Sequence, residues 1–203
     1  MPGHPVFARF YGLLERAMAK TERPYREETA GGARGRVLEV GAGTGANLEH
    51  YPEGPRPVLL EYNPHMLKAL RRRAEVSPRA PMLVRASAQA LPFRSGTFDT
   101  VVASLVLCSV PDPAGAASEI GRVLADDGEL RFYEHVRASE PGLARKQDRW
   151  ERVWGRFSGG CHPNRDALET LRGAGFAVHS RAWDMPGGWI AAPHVVGTAA
   201  RRA

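Results

Sequence analysis

The segment Val37-Leu38-Glu39-Val40-Gly41-Ala42-Gly43-Thr44-Gly45 constrains this chain more than any other. Four residues of strand character run straight into three glycines at alternate positions, and Ala46-Asn47-Leu48 then reads as the opening of a helix. Glycine at such a turn takes a positive φ that a side chain would oppose, and leaves no Cβ where a ligand must come close to the backbone. Bare N–H groups at a helix start favour an anionic or hydrogen-bond-accepting ligand. A second apolar run, Val58-Leu59-Leu60, ends in Glu61, about twenty residues after the first glycine, which suits a carboxylate gripping ribose hydroxyls at the tip of the neighbouring strand. Together these features describe a nucleotide-cofactor site. The glycines alone leave the cofactor open, because Gly41, Gly43 and Ala46 also satisfy the relaxed dinucleotide pattern G-x-G-x-x-G/A.

Downstream, apolar strands alternate with amphipathic helices. Strands are predicted at about 36–40, 57–61, Met82-Leu83-Val84, 98–104 and Glu129 to Tyr133, and helices open at Asn63-Pro64 and Asp112-Pro113. Proline is favourable in a first helical turn, where its missing N–H would have no partner anyway. The second helix is expected to close at Asp126-Asp127-Gly128. Near-continuous apolar strands joined by helices imply a parallel sheet covered on both faces, and right-handed crossovers set the ligand loops along one edge. After Pro141 the pattern changes. Leu143, Gln147, Trp150, Val153, Trp154 and Phe157 mark a helix, residues 164–171 another, and Phe176 to Trp183 and His194 to Thr198 a closing hairpin whose long connection centres on Trp189. Upstream, residues 5–20 space Phe7, Phe10, Tyr11, Leu14, Ala17 and Met18 as an amphipathic helix, either packed on the sheet edge or serving as a lid. Thr21 to Gly35 reads as a polar connector. At 203 residues the expectation is one domain, with 1–34 as helix and connector and 35–203 as the catalytic core.

A net charge of +6 admits a nucleic-acid partner. Against it, no aromatic-rich basic stretch offers a stacking platform, and Ser104-Leu105-Val106-Leu107 lacks the Asn/Asp-Pro-Pro-aromatic pattern that clasps a base amine. No nucleic-acid partner is therefore expected. Two cysteines, Cys108 and Cys161, make no disulfide framework and fit a reducing, cytoplasmic setting as packing residues. No metal site is expected, since Cys161-His162 alone lacks ligand spacing. No membrane anchor is expected either, because no apolar run approaches the eighteen or so residues of a span.

Four motifs in order resemble the class I S-adenosylmethionine (SAM) methyltransferases. They are Glu39-x-Gly41-x-Gly43-x-Gly45, the acid Glu61 after the second strand, Ala90-Leu91-Pro92-Phe93, and Phe98-Asp99-Thr100-Val101. The resemblance implies an α/β, Rossmann-like class I methyltransferase fold: a mostly parallel seven-stranded sheet, helices on both faces and a C-terminal antiparallel hairpin. It implies SAM as cofactor, bound by Glu39, Gly41, Ala42, Gly43, Gly45, Asn47, Glu61, Tyr62, Met66, Ser87, Ala88, Gln89, Ser104 and Leu105. Glu39 stands where its carboxylate could reach the amino group of a bound amino acid. Ser87 stands where many relatives carry aspartate beside the adenine.

A narrower resemblance, to the alkyl-thiol S-methyltransferases, rests on Ser104-Leu105-Val106-Leu107-Cys108-Ser109-Val110, Glu134-His135-Val136, Trp150/Trp154, Gly160-Cys161 with Arg165, and Pro193-His194-Val195-Val196-Gly197. It implies a small-molecule thiol acceptor, with roles in detoxification, self-resistance or natural-product tailoring. C- or O-methyltransferases of quinones and phenolics, and N-methyltransferases of phospholipids, share the fold and stand as alternatives. Animal thiol methyltransferases carry an apolar N-terminal anchor, and no such attachment is expected to carry over here. Thiol methylation needs the thiolate, and a free thiol has pKa ~8.5. His135, following the fifth strand at the ligand edge, is the first candidate to assist ionisation. Phe10, Tyr11, Cys108, Trp150, Trp154, His162, Arg165, Trp189 and His194 are the candidate acceptor pocket.

Overall fold

The computed structural model describes residues 5–187 and 189–202, with the side chains of residues 5–11, 13 and 14 outside the description. Seven strands form one sheet: β1 Val37–Val40, β2 Val58–Leu60, β3 Met82–Val84, β4 Phe98–Ser104, β5 Leu124–His135, β6 Phe176–Asp184 and β7 Pro193–Arg201. Their spatial order is β3-β2-β1-β4-β5-β7-β6. The first five run parallel, and β7 is antiparallel to both of its neighbours. The chain winds outward from β1 to β3 and then returns to β4 beside β1. That reversal opens a crevice at the carboxyl ends of the strands.

The helices are α1 Pro5–Thr29, α2 Pro64–Glu75, α3 Pro113–Val123, α4 Pro141–Phe157 and α5 Ala167–Gly173. Successive strand residues face opposite sides of a sheet, and here both sides are apolar. Leu38, Val40, Leu60, Val101 and Ala103 pack in one cluster with Ala117 and Ile120 of α3 and Leu171 of α5. Val37, Leu59 and Val102 pack in the other with Leu67 and Leu70 of α2. Short polar side chains start the helices by satisfying free N–H groups. Asn63 accepts from His65 N at 2.9 Å, Asp112 from Gly115 N at 2.9 Å and Asp166 from Glu169 N at 2.8 Å.

Four local expectations change. The polar connector at Thr21–Gly35 is largely helical: α1 continues to Thr29, with Pro24 inside it, and a 3-10 turn follows at Ala30–Gly32. Tertiary bonds hold this extension rather than an apolar stripe. Arg131 of β5 donates to the last carbonyls of α1, through Nε to Thr29 O at 2.9 Å and through Nη2 to Glu28 O at 2.8 Å. Second, Ala46-Asn47-Leu48 does not open an α-helix. Successive i→i+3 bonds form there instead, Leu48 N to Gly45 O at 3.1 Å and His50 N to Asn47 O at 2.9 Å, while the Asn47 side chain bonds to tertiary partners. Third, β5 begins at Leu124 and runs through Asp126-Asp127-Gly128, with an irregular register opposite Phe98 and Thr100. Ladder pairing outweighs the local turn signal. Fourth, α5 starts at Ala167, where Asp166 provides the cap.

Arg131→Leu should leave the Glu28 and Thr29 carbonyls without their donor. The expected loss is about 1–3 kcal/mol of unfolding free energy, read as a lower urea midpoint at unchanged slope. A midpoint that stays put would show that water replaces the guanidinium.

Candidate active site

The glycine turn follows β1 directly. Gly41, Gly43 and Gly45 have φ of +67°, +58° and +89°. A Cβ on Gly41 would stand 2.7 Å from Val106 Cγ2, whereas one on Gly43 would project into open space. Behind the turn lies a buried polar chain. Glu39 accepts from Asn47 Nδ2 at 2.9 Å and from Tyr51 OH at 2.8 Å. Asn47 Nδ2 also donates to Ser104 Oγ at 3.0 Å, and its Oδ1 accepts from Arg26 at 2.8 Å. Arg26 in turn pairs with Glu22 at 2.6 Å. One continuous path thus ties α1, the glycine turn and β4 together. Burial pushes the Glu39 carboxyl up to about 7, with the Tyr51 and Asn47 hydrogen bonds offsetting only part of that cost.

Glu61, just past β2, accepts from Gly43 N at 2.8 Å and Asn63 N at 2.6 Å. Its pKa is also raised by burial, against these backbone donors. Between the loops is a cavity of about 980 Å³. Leu60, Ser104 and His135, the last residues of β2, β4 and β5, line it, as do Gly41, Gly43, Glu61, Tyr62, Met66, Ser87, Ala88, Gln89 and Leu105. Glu15, Met18 and Glu22 bring α1 to its wall. Glu15 is held there by Arg73 at 2.6 Å and by a hydrogen bond from Thr44 Oγ1.

Across the cavity the wall is built around Glu134. Its carboxylate accepts three backbone N–H groups, from Val106 at 2.8 Å, Leu107 at 2.9 Å and Cys108 at 3.2 Å. Even so, burial raises it to about 7. Leu105, next to this nest, has φ +60°, a conformation that costs a non-glycine residue energy and tends to mark functional loops. His135 Nδ1 lies 3.6 Å from Cys108 Sγ and 3.3 Å from Cys161 Sγ. Burial opposes the charged imidazole, but the charge and hydrogen bond of Cys161, with Glu134, outweigh it and raise the His135 pKa. The hydrogen bond from Cys108 and the charge of His135 lower the Cys161 thiol well below its ordinary value, while Cys108 is raised. His194 packs against His135 with ring centroids 4.3 Å apart. It is lowered to about 3 by burial and by His135, with its Nδ1 2.7 Å from Ala192 O. Trp183 stacks on His194, and Tyr25 of α1 on Trp183 at 3.8 Å, so an aromatic stack supports His135 from behind.

The comparisons with known proteins agree with this architecture. Residues 38–132 match the methyltransferase domain family. The human thiol S-methyltransferase TMT1B is 34% identical over 84% of this chain and 73% of its own length. The chain belongs to the class I SAM-dependent methyltransferases. A phosphatidylethanolamine N-methyltransferase of Cereibacter sphaeroides is 33% identical over 66% of the methyltransferase described here and 68% of its own length. Among solved structures, a SAM-dependent methyltransferase of Thermotoga maritima superposes with TM-score 0.72 at 19% identity, covering 97% of this chain and 99% of that one. The [4+2]-cyclase SpnF superposes with TM-score 0.71 at 21% identity, covering 93% and 82%. The cofactor of this methyltransferase is SAM, and the bare Gly43 backbone beside the Glu61 carboxylate suits its approach.

The fold gathers the expected residues unequally. Glu39, Ala42, Gly45 and Asn47 stand behind the cavity wall, where Glu39 and Asn47 brace its parts through hydrogen bonds. Trp154, Trp189 and His162 line the cavity. Trp150 does not: it is 51% exposed on α4. Cys108 and His194 are buried one layer back, and Arg165 holds the Leu107 and Val110 carbonyls at 3.0 and 2.6 Å. Phe10 and Tyr11 have side chains outside the described residues. Glu15, Met18, Glu22, Phe157 and Cys161 line the cavity without having been expected there. The spacing of three and four that sets Glu15, Met18 and Glu22 on one helix face could have signalled the first three, and the helix pattern around Trp154 and the Gly160-Cys161 motif the other two. Among the described residues, no helix is long and apolar enough to cross a membrane.

Glu39 leads to a pH prediction. In the fold it holds its proton to about pH 7, while in the unfolded chain it ionises near 4.3. The folded state therefore binds more protons in that window, so SAM-free stability falls as pH rises from about 4.3 to about 7. Glu39→Gln should flatten that decline by on the order of 1–3 kcal/mol, measured by urea unfolding at several pH values. An unaltered pH slope would reject the assignment.

Proposed function

We propose that this methyltransferase transfers a methyl group to the sulfur of a small apolar thiol. The observation that supports this most is the wall that sets His135 against Cys161 below Trp154, Phe157 and Trp189. Trp154 and Trp189 lie with centroids 6.2 Å apart and offer an apolar surface to an alkyl or aryl group. The nucleophile must be the thiolate, and a cationic imidazole beside the acceptor favours that form. The similarity to human thiol S-methyltransferases TMT1B and TMT1A, at 34% and 31% identity, supports the same reading.

When bound, SAM supplies an electrophilic methyl group on a sulfonium. Gly41, Gly43, Glu61, Ser87, Ala88, Gln89, Ser104 and Leu105 would hold it. Glu61 is already oriented by its two backbone donors, and a carboxylate keeps spare lone pairs for ribose hydroxyls. Glu39, through Asn47 and Ser104, keeps the glycine turn and the end of β4 in register. The α1 helix acts as a lid, closing one side with Glu15, Met18 and Glu22. Holding acceptor and methyl in line accounts for much of the acceleration such a transfer needs. A second reading, N-methylation of a phospholipid headgroup, draws on the Cereibacter relative and the cavity's size.

Glu61→Ala should weaken SAM binding by about 1–3 kcal/mol if its contact is a charge-assisted hydrogen bond. Calorimetry on the folded variant reads this directly, and unchanged affinity removes Glu61 from the site.

The acceptor is tested by incubating the protein and SAM with thiols, catechols, quinols, amines and phospholipids, then locating the methyl by mass spectrometry. Transfer to sulfur is expected; transfer to a phospholipid nitrogen would select the second reading. With a thiol acceptor, His135→Ala should lower turnover roughly 10²–10⁴-fold at constant SAM affinity. The defect should shrink above pH ~8.5, where solvent supplies the thiolate. A pH-independent defect would sink the role of His135 in ionisation.

A further inference from the structure

Among the described residues, Cys108, His135 and Cys161 are the group of three ligating side chains whose donor atoms converge, all within 4.8 Å of one another. The imidazole Nδ1 stands 3.6 Å from one sulfur and 3.3 Å from the other. Zinc–sulfur bonds of ~2.3 Å and zinc–nitrogen bonds of ~2.0–2.1 Å, set tetrahedrally, require sulfur–nitrogen edges of about 3.6 Å. Both sulfur–nitrogen edges thus stand close to the tetrahedral value, and the sulfur–sulfur edge lies within 4.8 Å. A hydrogen-bonded packing cluster has similar spacings, so the surroundings must decide between the two.

Two features of the surroundings favour a site. First, the backbone on every side of the three ligands is pinned. Cys108 donates its N–H to Glu134, and its carbonyl accepts His162 N–H at 2.7 Å, which locks the residue after Cys161 onto the residue that carries the other sulfur. The turn delivering Cys161 needs Gly159 and Gly160 at φ +71° and +97°, and a Cβ on Gly160 would come within 3.2 Å of Ser109 O. Arg165 holds Leu107 and Val110 from the other side. Conserving ligand orientation through outer hydrogen bonds is how metal sites keep their geometry. Second, the cluster opens on one side only. Cys161 and His135 line the cavity, and Cys108 is fully buried behind them.

We propose that Cys108 Sγ, His135 Nδ1 and Cys161 Sγ form a three-ligand site for zinc or a similarly soft divalent ion, with the fourth position facing the cavity and taken by the acceptor sulfur. The last clause rests on the thiol reading; the three-ligand site does not. Two thiolates balance a divalent charge, and with the ion bound His135 is a neutral ligand, so the ion takes over from a cationic imidazole in favouring the acceptor thiolate. Sulfur and nitrogen donors select zinc-like ions over magnesium or calcium. Each cysteine releases its proton to solvent as the metal binds. The acceptor does the same: its S–H bond breaks, the proton leaves to water, a metal–sulfur bond forms and bound water departs. No electron moves.

Cobalt(II) is the probe. The reduced full chain, titrated without air, should take up one equivalent and develop thiolate-to-cobalt charge-transfer absorption and tetrahedral visible bands, both bleached by zinc. A short alkyl thiol should shift the visible bands. Cys108→Ser, Cys161→Ser and His135→Ala should each weaken metal binding by on the order of 100-fold or more, with SAM affinity by calorimetry showing that each variant is folded. If a variant does not fold, the wild-type titration decides alone. A reduced wild-type protein that gives no charge-transfer band overturns the site, as does a Cys108–Cys161 disulfide forming in air without any metal uptake on reduction. Bands that ignore added thiol overturn the fourth-position assignment. Cobalt bands with no S-methylation in the acceptor screen sink the thiol reading and leave the metal site standing. Full S-methylation by protein stripped of metal with a chelator overturns the fourth-position assignment and leaves both the thiol reading and the three-ligand site standing.

Discussion

Three backbone N–H groups closing on one buried carboxylate shape the reactive wall of this methyltransferase. Glu134, at the end of β5, receives Val106, Leu107 and Cys108 from the loop after β4. A fully buried carboxylate without such donors would be far too costly. With them, the loop has one place to go. Leu105 is forced into positive φ, Cys108 is set beside His135, and the cavity gains a wall whose backbone polar groups are paired inside the protein. Removing the acid would therefore disturb the loop, the cysteine and the histidine together.

The cofactor side uses the same device with side chains. Glu39 collects Asn47 and Tyr51, and Asn47 passes the connection to Ser104 and to the Arg26–Glu22 pair of α1. A buried ion pair adds little net stability by itself, since desolvation offsets its attraction. Its value here is positional, because it fixes α1 against the glycine turn. The polar wall is rich in carboxylates, with Glu15, Glu22 and Glu61 at its surface. Such a wall suits a ligand that carries sulfonium and ammonium charge.

The two halves have different bearings on function. The half formed by the glycine turn and β2 carries the residues proposed to hold the cofactor. In the proposed function, the half formed by the loop after β4, the end of β5 and the segment around Cys161 meets the acceptor. SpnF shares the fold yet is described as a cyclase, so the fold alone does not choose a reaction. In the proposed function the choice falls to the residues after β4 and β5, where sulfur, imidazole and tryptophan gather in this chain.

Local chemistry made the cofactor half legible. Alternating glycines force a turn wherever they occur, and Val37–Val40 and Val58–Leu60 read as strands because they are short, apolar and bounded by turn residues. The order of those motifs was enough for the fold family and the cofactor. The extent of α1 was not legible, because Thr21–Thr29 is held by Arg131 and Asn47, partners distant in sequence. Nor was the start of β5, since pairing with β4 overrode Asp-Asp-Gly. Helical period put Trp150 and Trp154 on one face of α4, but only packing decided which turn of that face meets the cavity. The acceptor half was least visible of all. His135 lies 27 residues from Cys108 and 26 from Cys161, separations that carry no local pattern. Only the pairing of β4 with β5, and the glycine turn after α4, bring the three side chains to one point.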